Sequence, residues 1–360
     1  MALKAIPNHP RARRPGPALQ CQREMIRPGH SFVRNRRRPL RGLPRKVRPA
    51  DEISFQARQM SRPLASSLLL LCTMFWGFAF IAQKSAMDSM GPLTFAGVRF
   101  LIGGLLVLPL ALHERHRRPI ALNNTHWFFI AAMSTVFFLG SWLQQAGLAT
   151  TTATNGGFLT GLYVFFVPLL GYVLFRSRPH PIIFVGVPLA LVGIYYLNGG
   201  GLDSFNSGDW LIVGSAIFWA MHVILLGHVA RLTGLPVFVS CISFLVAGAA
   251  ASLIALGSEA PSLDAISGGW LEIAYAAVLS TAVGFTLQAI GQQHVPPANA
   301  AIILSAESLF AAIGGALILG ERLPMIGYAG AALIFAAIVL VEAVPPLWAR
   351  RKTHEPRIVN

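Results

Sequence analysis

One stretch of this chain occurs twice, and the two copies stay in register through the sequence that follows. The segment GSWLQQAGLATTTATNGGF at residues 140–158 is echoed by GFTLQAIGQQHVPPANAAI at residues 284–302. At a constant offset of 144 residues, the identical pairs include Gly140/Gly284, Leu143/Leu287, Gln144/Gln288, Gly147/Gly291, Asn155/Asn299, Phe166/Phe310, Gly171/Gly315 and Gly186/Gly330. A gapless match of this length indicates that the chain contains two copies of one folding unit.

The chain is too apolar to cover a water-soluble globule of its size. Apolar residues make up 54% of the sequence and charged residues only 12%. A helix needs about 20 apolar residues to cross a bilayer, and the apolar runs predict an all-α integral membrane protein with ten transmembrane helices. The expected spans are residues 65–84, 93–112, 127–148, 153–174, 181–198, 209–230, 235–257, 269–293, 298–319 and 324–344.

The first 62 residues differ from the rest in composition. They hold 16 of the 29 Lys and Arg residues, opposed only by Glu24, Asp51 and Glu52. This composition predicts a disordered, basic, cytoplasmic extension over residues 1–62, with a membrane-surface or targeting role as the alternative. Met60 lies just before the first span and is a second candidate start of translation. Because the excess charge is confined to this extension, we expect no nucleic-acid partner.

The basic residues of the short loops predict the orientation of the spans. If the amino terminus is cytoplasmic, the inner loops and tail collect Arg115, Arg117, Arg118, Arg176, Arg178, Arg231, Arg350, Arg351, Lys352 and Arg357, and the outer loops hold only Lys84 and Arg322. We therefore expect a multi-pass protein of the cytoplasmic (inner) membrane with both termini cytoplasmic, and a basic tail over residues 345–360.

The repeat has five predicted spans, so its second copy begins on the opposite side of the membrane. Phe75-Trp76 in the first span matches Phe218-Trp219 in the sixth, which places the units at residues 65–198 and 209–344. Two inverted five-helix repeats are typical of secondary transporters, which rock around a site near the bilayer midplane. A purely structural duplication is the alternative interpretation.

Three segments carry a resemblance to a known family. They are FWGFAF at residues 75–80, the pattern Pro92-x-x-Phe95-x-x-x-Arg99, and LSAESLFAAIGGALILGERL at residues 304–323. The chain resembles the EamA-type branch of the drug/metabolite transporter superfamily over about residues 65–344. The resemblance implies a membrane transporter of small metabolites or drugs, often an exporter, without nucleotide-hydrolysing machinery. The first repeat departs from the family pattern, because Ser177 stands at the position that matches Glu321.

Two ionisable residues lie well inside the predicted spans, where a charge is costly unless it faces a cavity or a partner. Arg99 could bind an anionic group of the substrate, extend its side chain to the outer headgroups, or hold a neighbouring helix through backbone carbonyls. Glu307 could exchange a proton during transport, or it could be a permanently protonated acid bonded to a neighbouring helix. Its repeat mate is Tyr163, so the protonatable group occurs in one copy only.

The other polar candidates are neutral, and together with aromatic residues they predict a cavity with few charges. The cavity candidates are Trp76, Gln83, Arg99, Trp142, Gln144, Gln145, Tyr163, Trp219, His222, Gln288 and Gln292. For any one of them, hydrogen bonding between helices is the alternative role. Asn155 and Asn299 at helix ends, and Glu321 beside Arg322, are structural or gating candidates. Such a cavity suits amphipathic or zwitterionic molecules better than polyanions.

These residues favour a transporter over an enzyme. Cys21, Cys72 and Cys241 form no metal-binding pattern, and no acid, histidine or nucleophile cluster lies at one depth, so we expect no metal, no cofactor and no catalytic residues. The expected function is secondary active export by alternating access, with protons as the candidate coupling ion. A flippase for lipids or lipid-linked sugars, or a non-transporting membrane subunit, would share this architecture. The sequence favours neither a monomer nor a homodimer.

Overall fold

The computed structural model describes residues 60–197, 199–200, 206–318, 320 and 325–353. Throughout these ranges the regular secondary structure is helical, without a strand. The long elements are α1 (Arg62–Ala86), α2 (Pro92–Arg117), α3 (Asn124–Leu148), α4 (Ala153–Phe175), α5 (Ile183–Leu197), α6 (Ser207–Thr233), α7 (Pro236–Ser258), α8 (Trp270–Gln292), α9 (Pro297–Ile318) and α10 (Met325–Thr353). A short helix, Leu263–Gly268, precedes α8.

The lengths and surfaces of these helices fit a bilayer. Eight of them are long and apolar enough to span it, and α5 and the segment Met325–Val341 of α10 are shorter apolar helices that complete the ten predicted spans. Large apolar side chains lie exposed on the outside of the bundle, including Leu105, Phe184, Leu253 and Leu317. Apolar side chains on the outer surface are the residues that lipid tails solvate.

The helices pack in pairs that follow the sequence repeat. The largest interfaces join α2 to α7, α3 to α6, and α5 to α10, and α1 packs on both α8 and α9. Each helix of the first repeat has its counterpart five helices later, so that α1 corresponds to α6 and α3 to α8. The α3–α6 interface therefore corresponds to the α8–α1 interface, and the α2–α7 interface corresponds to itself. The interface of α5 with α10 is tight because a Cβ on Gly193 would lie 2.9 Å from the carbonyl oxygen of Gly330. Small residues at such contacts let two membrane helices approach closely.

Two glutamates at equivalent helix ends show that α2 and α7 are antiparallel. Glu259 follows the last residue of α7 and accepts hydrogen bonds at the start of α2, from the backbone nitrogens of Leu93 (2.9 Å) and Thr94 (2.8 Å) and from the Thr94 hydroxyl (2.8 Å). Glu114, near the end of α2, accepts from the backbone nitrogen of Phe238 at 2.8 Å in the first turn of α7. Each carboxylate therefore satisfies N–H groups and the positive dipole end of the partner helix. The end of each helix thus caps the start of the other, as the two-fold relation between the inverted repeats requires.

Some predictions fall at or beyond the limits of the described residues. The predicted basic extension at residues 1–62 lies almost entirely outside them, as do Glu321 and Arg322. The helix α10 continues to Thr353, so the predicted tail at residues 345–360 begins inside a helix. The other predicted span boundaries agree with the observed helices within a few residues.

Candidate functional site

Two equivalent helix breaks lie at the centre of the bundle. The first segment of α4 ends at Thr160 and the second begins at Tyr163, and the first segment of α9 ends at Leu304 and the second begins at Glu307. These positions differ by the repeat offset of 144 residues. Discontinuous helices of this kind form the midplane sites of transporters that have inverted repeats.

The breaks bring the repeat mates Tyr163 and Glu307 together. Both side chains are buried, both line the same cavity, and the phenol and the carboxyl are close enough to interact electrostatically. Ser308 ties the two breaks by donating a hydrogen bond from its hydroxyl to the carbonyl oxygen of Gly157 at 2.8 Å. Contact between residues at equivalent positions of the two repeats is expected near a two-fold axis.

Aromatic rings form the walls of this central cavity. The ring centroids of Trp76 and Phe285 are 4.6 Å apart, and Trp219 stacks on Phe285 at 5.7 Å with an interplanar angle of 15°. Phe80 also lines the cavity. Offset and tilted aromatic contacts of this kind fix the positions of large apolar side chains. The complete lining consists of Trp76, Phe80, Gln83, Arg99, Gln144, Thr160, Tyr163, Trp219, Val223, Ser280, Phe285, Gln288, Leu304 and Glu307.

The equivalent tryptophans of the two repeats donate to different acceptors. The indole nitrogen of Trp219 donates to the side-chain oxygen of Gln144 at 2.6 Å. In the other repeat, the indole nitrogen of Trp76 donates to the backbone carbonyl oxygen of Ser280 at 3.1 Å. The counterpart of Gln144 is Gln288, whose side-chain oxygen is buried without a hydrogen-bond partner among the described residues.

A π-helical segment in α8 accompanies this difference. Residues Ala276–Phe285 have π-helical hydrogen bonding, whereas the matching part of α3 is an ordinary α-helix. The wider turns of a π-helix leave backbone carbonyl groups available to side chains. Here the carbonyl oxygen of Ser280 accepts the hydrogen bond from the Trp76 indole nitrogen. Short π-helical segments occur frequently at functional sites. Phe285, which contacts both tryptophans, is the last residue of this segment.

Arg99 is buried in the cavity wall instead of extending to the membrane surface. Only 3% of the residue is exposed, and its guanidinium carbon lies 4.5 Å from the ring centroid of Phe100 and 5.2 Å from that of Phe95. Its Nε atom has no hydrogen-bond partner within the described structure. Of the three alternatives for this side chain, extension to the outer headgroups fits this buried position least. A cation held on aromatic faces keeps N–H groups available for a ligand.

Several cavity side chains keep a buried polar atom without a hydrogen-bond partner in the described part of the chain. These atoms are the Arg99 Nε, Thr160 Oγ1, Tyr163 hydroxyl, Gln288 Oε1 and Glu307 Oε1. A buried polar atom left unpaired is costly, so such atoms are rare in folded proteins and are normally satisfied by water or a ligand. Their convergence on one cavity indicates a place where a polar ligand binds.

The central cavity is narrow. It leaves only about 40 Å³ for the centres of water molecules. That space accommodates a few waters, whereas sites for small molecules typically measure hundreds of Å³. A metabolite can enter only if the surrounding helices separate.

The structure places seven predicted cavity residues and the candidate coupling residue on the lining and four elsewhere. Gln145 and Gln292 donate to backbone carbonyls, of Gln83 at 2.9 Å and of Val223 at 2.9 Å, and so join helices. His222 is packed among aromatic rings behind the lining. Trp142 is 37% exposed and stacks on Phe138 at the bundle surface. In the structure these four side chains contact neighbouring backbones, aromatic rings or the bundle surface and are not among the lining residues, so their role in the cavity stays a prediction.

The two asparagine candidates occupy different surroundings. Asn299 donates from its side chain to the carbonyl oxygen of Val341 at 3.3 Å, which ties α9 to α10. Asn155 lies in the first turn of α4, where its backbone nitrogen donates to the Thr152 hydroxyl at 3.1 Å. Gating by either residue stays a prediction. No group of metal-ligating side chains occurs among the residues that the structure describes.

Sequence reasoning missed several residues of the site. Ser280 and Phe285 lie in the π-helical segment, which no pattern in the sequence announces. Thr160 and Leu304 end the first segments of α4 and α9, and only the breaks give them this position. The signal that could have located the breaks is Gly161, which precedes Tyr163 by two residues, but glycine is common in membrane helices.

An inverted five-helix repeat around a narrow, largely aromatic cavity at two broken helices is an architecture that recurs in membrane transporters. The EamA-like transporter family matches residues 64–199 and again residues 206–343. The chain belongs to this family, and each half carries one copy of its domain.

Individual proteins agree with this assignment. An uncharacterized transporter from Archaeoglobus fulgidus is 31% identical over 79% of this chain and 88% of its own length. The uncharacterized inner membrane transporter YedA of Escherichia coli K12 is 29% identical over 78% of this chain and 90% of its own length. These relatives are named as transporters and not as enzymes. A crystal structure of an 18% identical protein, matched over 81% of this chain and 99% of that one, has a TM-score of 0.66 and shows the same fold.

Proposed function

We propose that this protein is a secondary active exporter of small metabolites or drugs that works by alternating access and exchanges protons at Glu307. The observation that carries the proposal is that Glu307 and its repeat mate Tyr163 are both buried and line the same narrow cavity, in which several buried polar atoms have no hydrogen-bond partner in the described part of the chain. One repeat supplies a carboxyl group and the other a phenol, so protonation changes only one side of the two-fold arrangement.

Burial makes the ionised form of Glu307 costly in free energy. Only 4% of the residue is exposed, and its carboxyl lies among aromatic and aliphatic side chains. An ionised carboxylate in such a place is costly unless it gains partners, whereas the neutral acid is tolerated. Binding and release of a proton would therefore favour different packings of α4 against α9. A ligand that prefers one packing would be coupled to the proton through that difference.

The chemistry of the lining suggests the kind of substrate. Indole and phenyl faces surround the cavity, and the amides of Gln83, Gln144 and Gln288 with the Arg99 guanidinium supply a few hydrogen-bonding groups. This combination favours an amphipathic or zwitterionic molecule, for which the rings cover the apolar part and the polar groups orient the rest.

The proposed location is the cytoplasmic membrane, with both termini on the cytoplasmic side. Support comes from the basic loop residues and from the inner-membrane relative YedA. Green fluorescent protein fused after Asn360 should fluoresce, because it folds to its fluorescent form in the cytoplasm. A fusion that is exported and non-fluorescent would contradict the orientation.

Transport can be tested once a ligand is found by its effect on stability. Compounds that bind the folded state raise its melting temperature, so purified protein is first screened against amino acids, nucleosides, sugars and amphipathic cations. The compounds that stabilise it are then loaded into proteoliposomes, and their release is followed with and without a pH gradient. We expect the gradient to accelerate release from wild-type vesicles.

Glu307→Gln keeps the size of the side chain and removes its titration. We expect this variant to bind the ligand and to lose the response to the gradient, while Glu272→Gln, which alters a carboxyl that accepts from Ser85 away from the cavity, keeps it. An unchanged response in Glu307→Gln would remove proton exchange from the proposal. Absence of flux for every stabilising compound, with any gradient, would remove transport itself.

A further inference from the structure

A second cavity opens at the end of the bundle where α1 and α9 begin and α4 and α6 end. It measures about 520 Å³, far more than the central cavity, and we call it the vestibule. Its lining consists of Arg62, Val167, Pro168, Gly171, Phe175, Ser177, Arg178, Pro179, His180, Ile224, His228, Arg231, Pro296, Pro297, Ala298 and Asn299. No residue of this lining carries a carboxylate.

Basic groups from three parts of the chain converge on the vestibule. Arg178 comes from the connection after α4, and Arg231 and His228 come from the last turns of α6, while Arg62 from α1 and His180 complete the set. Arg231 donates one N–H to the carbonyl oxygen of Gln292 at 3.0 Å. A guanidinium has five N–H groups, and this bond uses one of those of Arg231 among the described residues.

The loop arginines outside the vestibule differ in their surroundings. Arg118 donates to the carbonyl oxygen of Gly234 at 2.7 Å, and Arg115 donates to that of Ile120. These two residues close helix ends, as basic residues near carbonyl groups commonly do. Arg178 and Arg231 also line the vestibule, a space that is wide enough for a headgroup or a small organic anion.

The walls of the vestibule are apolar next to its charges. Phe175, Val167 and Ile224 form part of its surface, and the ring of His228 lies 5.8 Å from that of Phe175. A molecule with an anionic head and an apolar body would therefore find a matching surface for each part. Basic pockets between transmembrane helices are a known kind of site for anionic headgroups, and a basic cavity concentrates anions by its field.

We propose that the vestibule is a binding site for a phosphate or carboxylate group, held by Arg178 and Arg231. The group can belong to an anionic lipid headgroup or to a dissolved small molecule, and both would use the same guanidinium donors. This site is separate from the central cavity, so the proposal stands or falls independently of proton exchange at Glu307.

The test uses full-length protein in an uncharged detergent and measures its melting temperature during titration. The probes are inorganic phosphate, compared with chloride at the same ionic strength, and dodecyl phosphate, compared with dodecyl phosphocholine. Because a ligand that binds the folded state stabilises it, we expect phosphate and dodecyl phosphate to raise the melting temperature more than their comparison compounds.

Two double variants remove the same charge at different places. Arg178→Gln with Arg231→Gln empties the vestibule of its main donors, and we expect the half-saturating concentration to rise about tenfold or more. Arg117→Gln with Arg176→Gln removes two exposed charges at helix ends outside the vestibule lining and should leave this concentration unchanged. Arg178→Gln alone changes an exposed residue, so it preserves the fold and should give a smaller rise in the same direction.

The probes distinguish the two sources of the anion. Dodecyl phosphate acting at a much lower concentration than inorganic phosphate would assign the vestibule to lipid-like anions, and equal concentrations would assign it to dissolved anions. The proposal is overturned if neither probe stabilises the wild type beyond its comparison compound. It is also overturned if both double variants weaken binding equally, since that result reports net charge and not a site.

Discussion

The reciprocal caps of α2 and α7 lead to a quantitative prediction about stability. Glu259 accepts three hydrogen bonds, from two backbone nitrogens and one hydroxyl of α2, at 2.8 to 2.9 Å. Glu114 accepts one, from the backbone nitrogen of Phe238 at 2.8 Å. Glu259→Gln replaces a charged acceptor by an amide that keeps one acceptor oxygen and turns its NH₂ group toward the remaining donors.

The number and kind of these hydrogen bonds set the expected loss of stability in each variant. A carboxylate near a helix N-terminus contributes about 0.3–1 kcal/mol through the dipole, and the loss of a charge-assisted hydrogen bond adds about 1–2 kcal/mol. Partial exposure of Glu259 lowers the sum, so we expect Glu259→Gln to reduce the free energy of unfolding by about 2 kcal/mol. Glu114→Gln removes the charge from a single hydrogen bond and should cost about 1 kcal/mol.

The assay is reversible unfolding of the purified variants in mixed micelles, followed by circular dichroism or proteolysis. Asp88→Asn serves as a control, because Asp88 is exposed in the connection between α1 and α2, and its loss should change little. The reasoning is refuted if Glu259→Gln is no more damaging than Asp88→Asn, or if Glu114→Gln is the more damaging of the two glutamate variants.

Two further predictions concern packing inside the bundle. Trp219→Phe leaves the side-chain oxygen of Gln144 buried without its donor, so it should lower the free energy of unfolding by about 1 kcal/mol. Adding Gln144→Leu should recover part of that loss, and a purely additive loss would contradict the explanation. Gly193→Leu places a side chain against the backbone of Gly330 and should cost about 1–3 kcal/mol in the same unfolding assay, whereas Gly257→Leu meets nothing within 4 Å and should be neutral.

The architecture could be predicted from the sequence because hydropathy and the internal repeat each extend over many residues. Apolar runs of bilayer length predicted ten spans, and apart from the end of α10 the helices of the structure begin and end within a few residues of them. The register of Gly140 with Gly284 predicted the duplication, and the pairing of α3 with α6 and of α1 with α8 repeats it in space. Hydropathy and self-similarity average over many residues, so single exceptions do not disturb them.

The details of the site depend on local geometry that such averages do not contain. Trp142 and Gln145 belong to the same polar stretch as Gln144, yet only Gln144 faces the cavity, because a helix turns about 100° per residue. The π-helical turns before Phe285 and the breaks before Tyr163 and Glu307 likewise change which residues point inward. The capping role of Glu259 depends on the packing of α7 beside α2, which is a tertiary contact.

The measurement that tests the account most directly is gradient-driven flux in proteoliposomes containing wild-type protein or Glu307→Gln. The substrate is the compound that most stabilises the wild type, and its binding to Glu307→Gln is confirmed by the same stabilisation. We predict that a pH gradient accelerates release through the wild type and has no effect on release through Glu307→Gln. Equal acceleration in both proteins would contradict proton exchange at the contact between the two repeats.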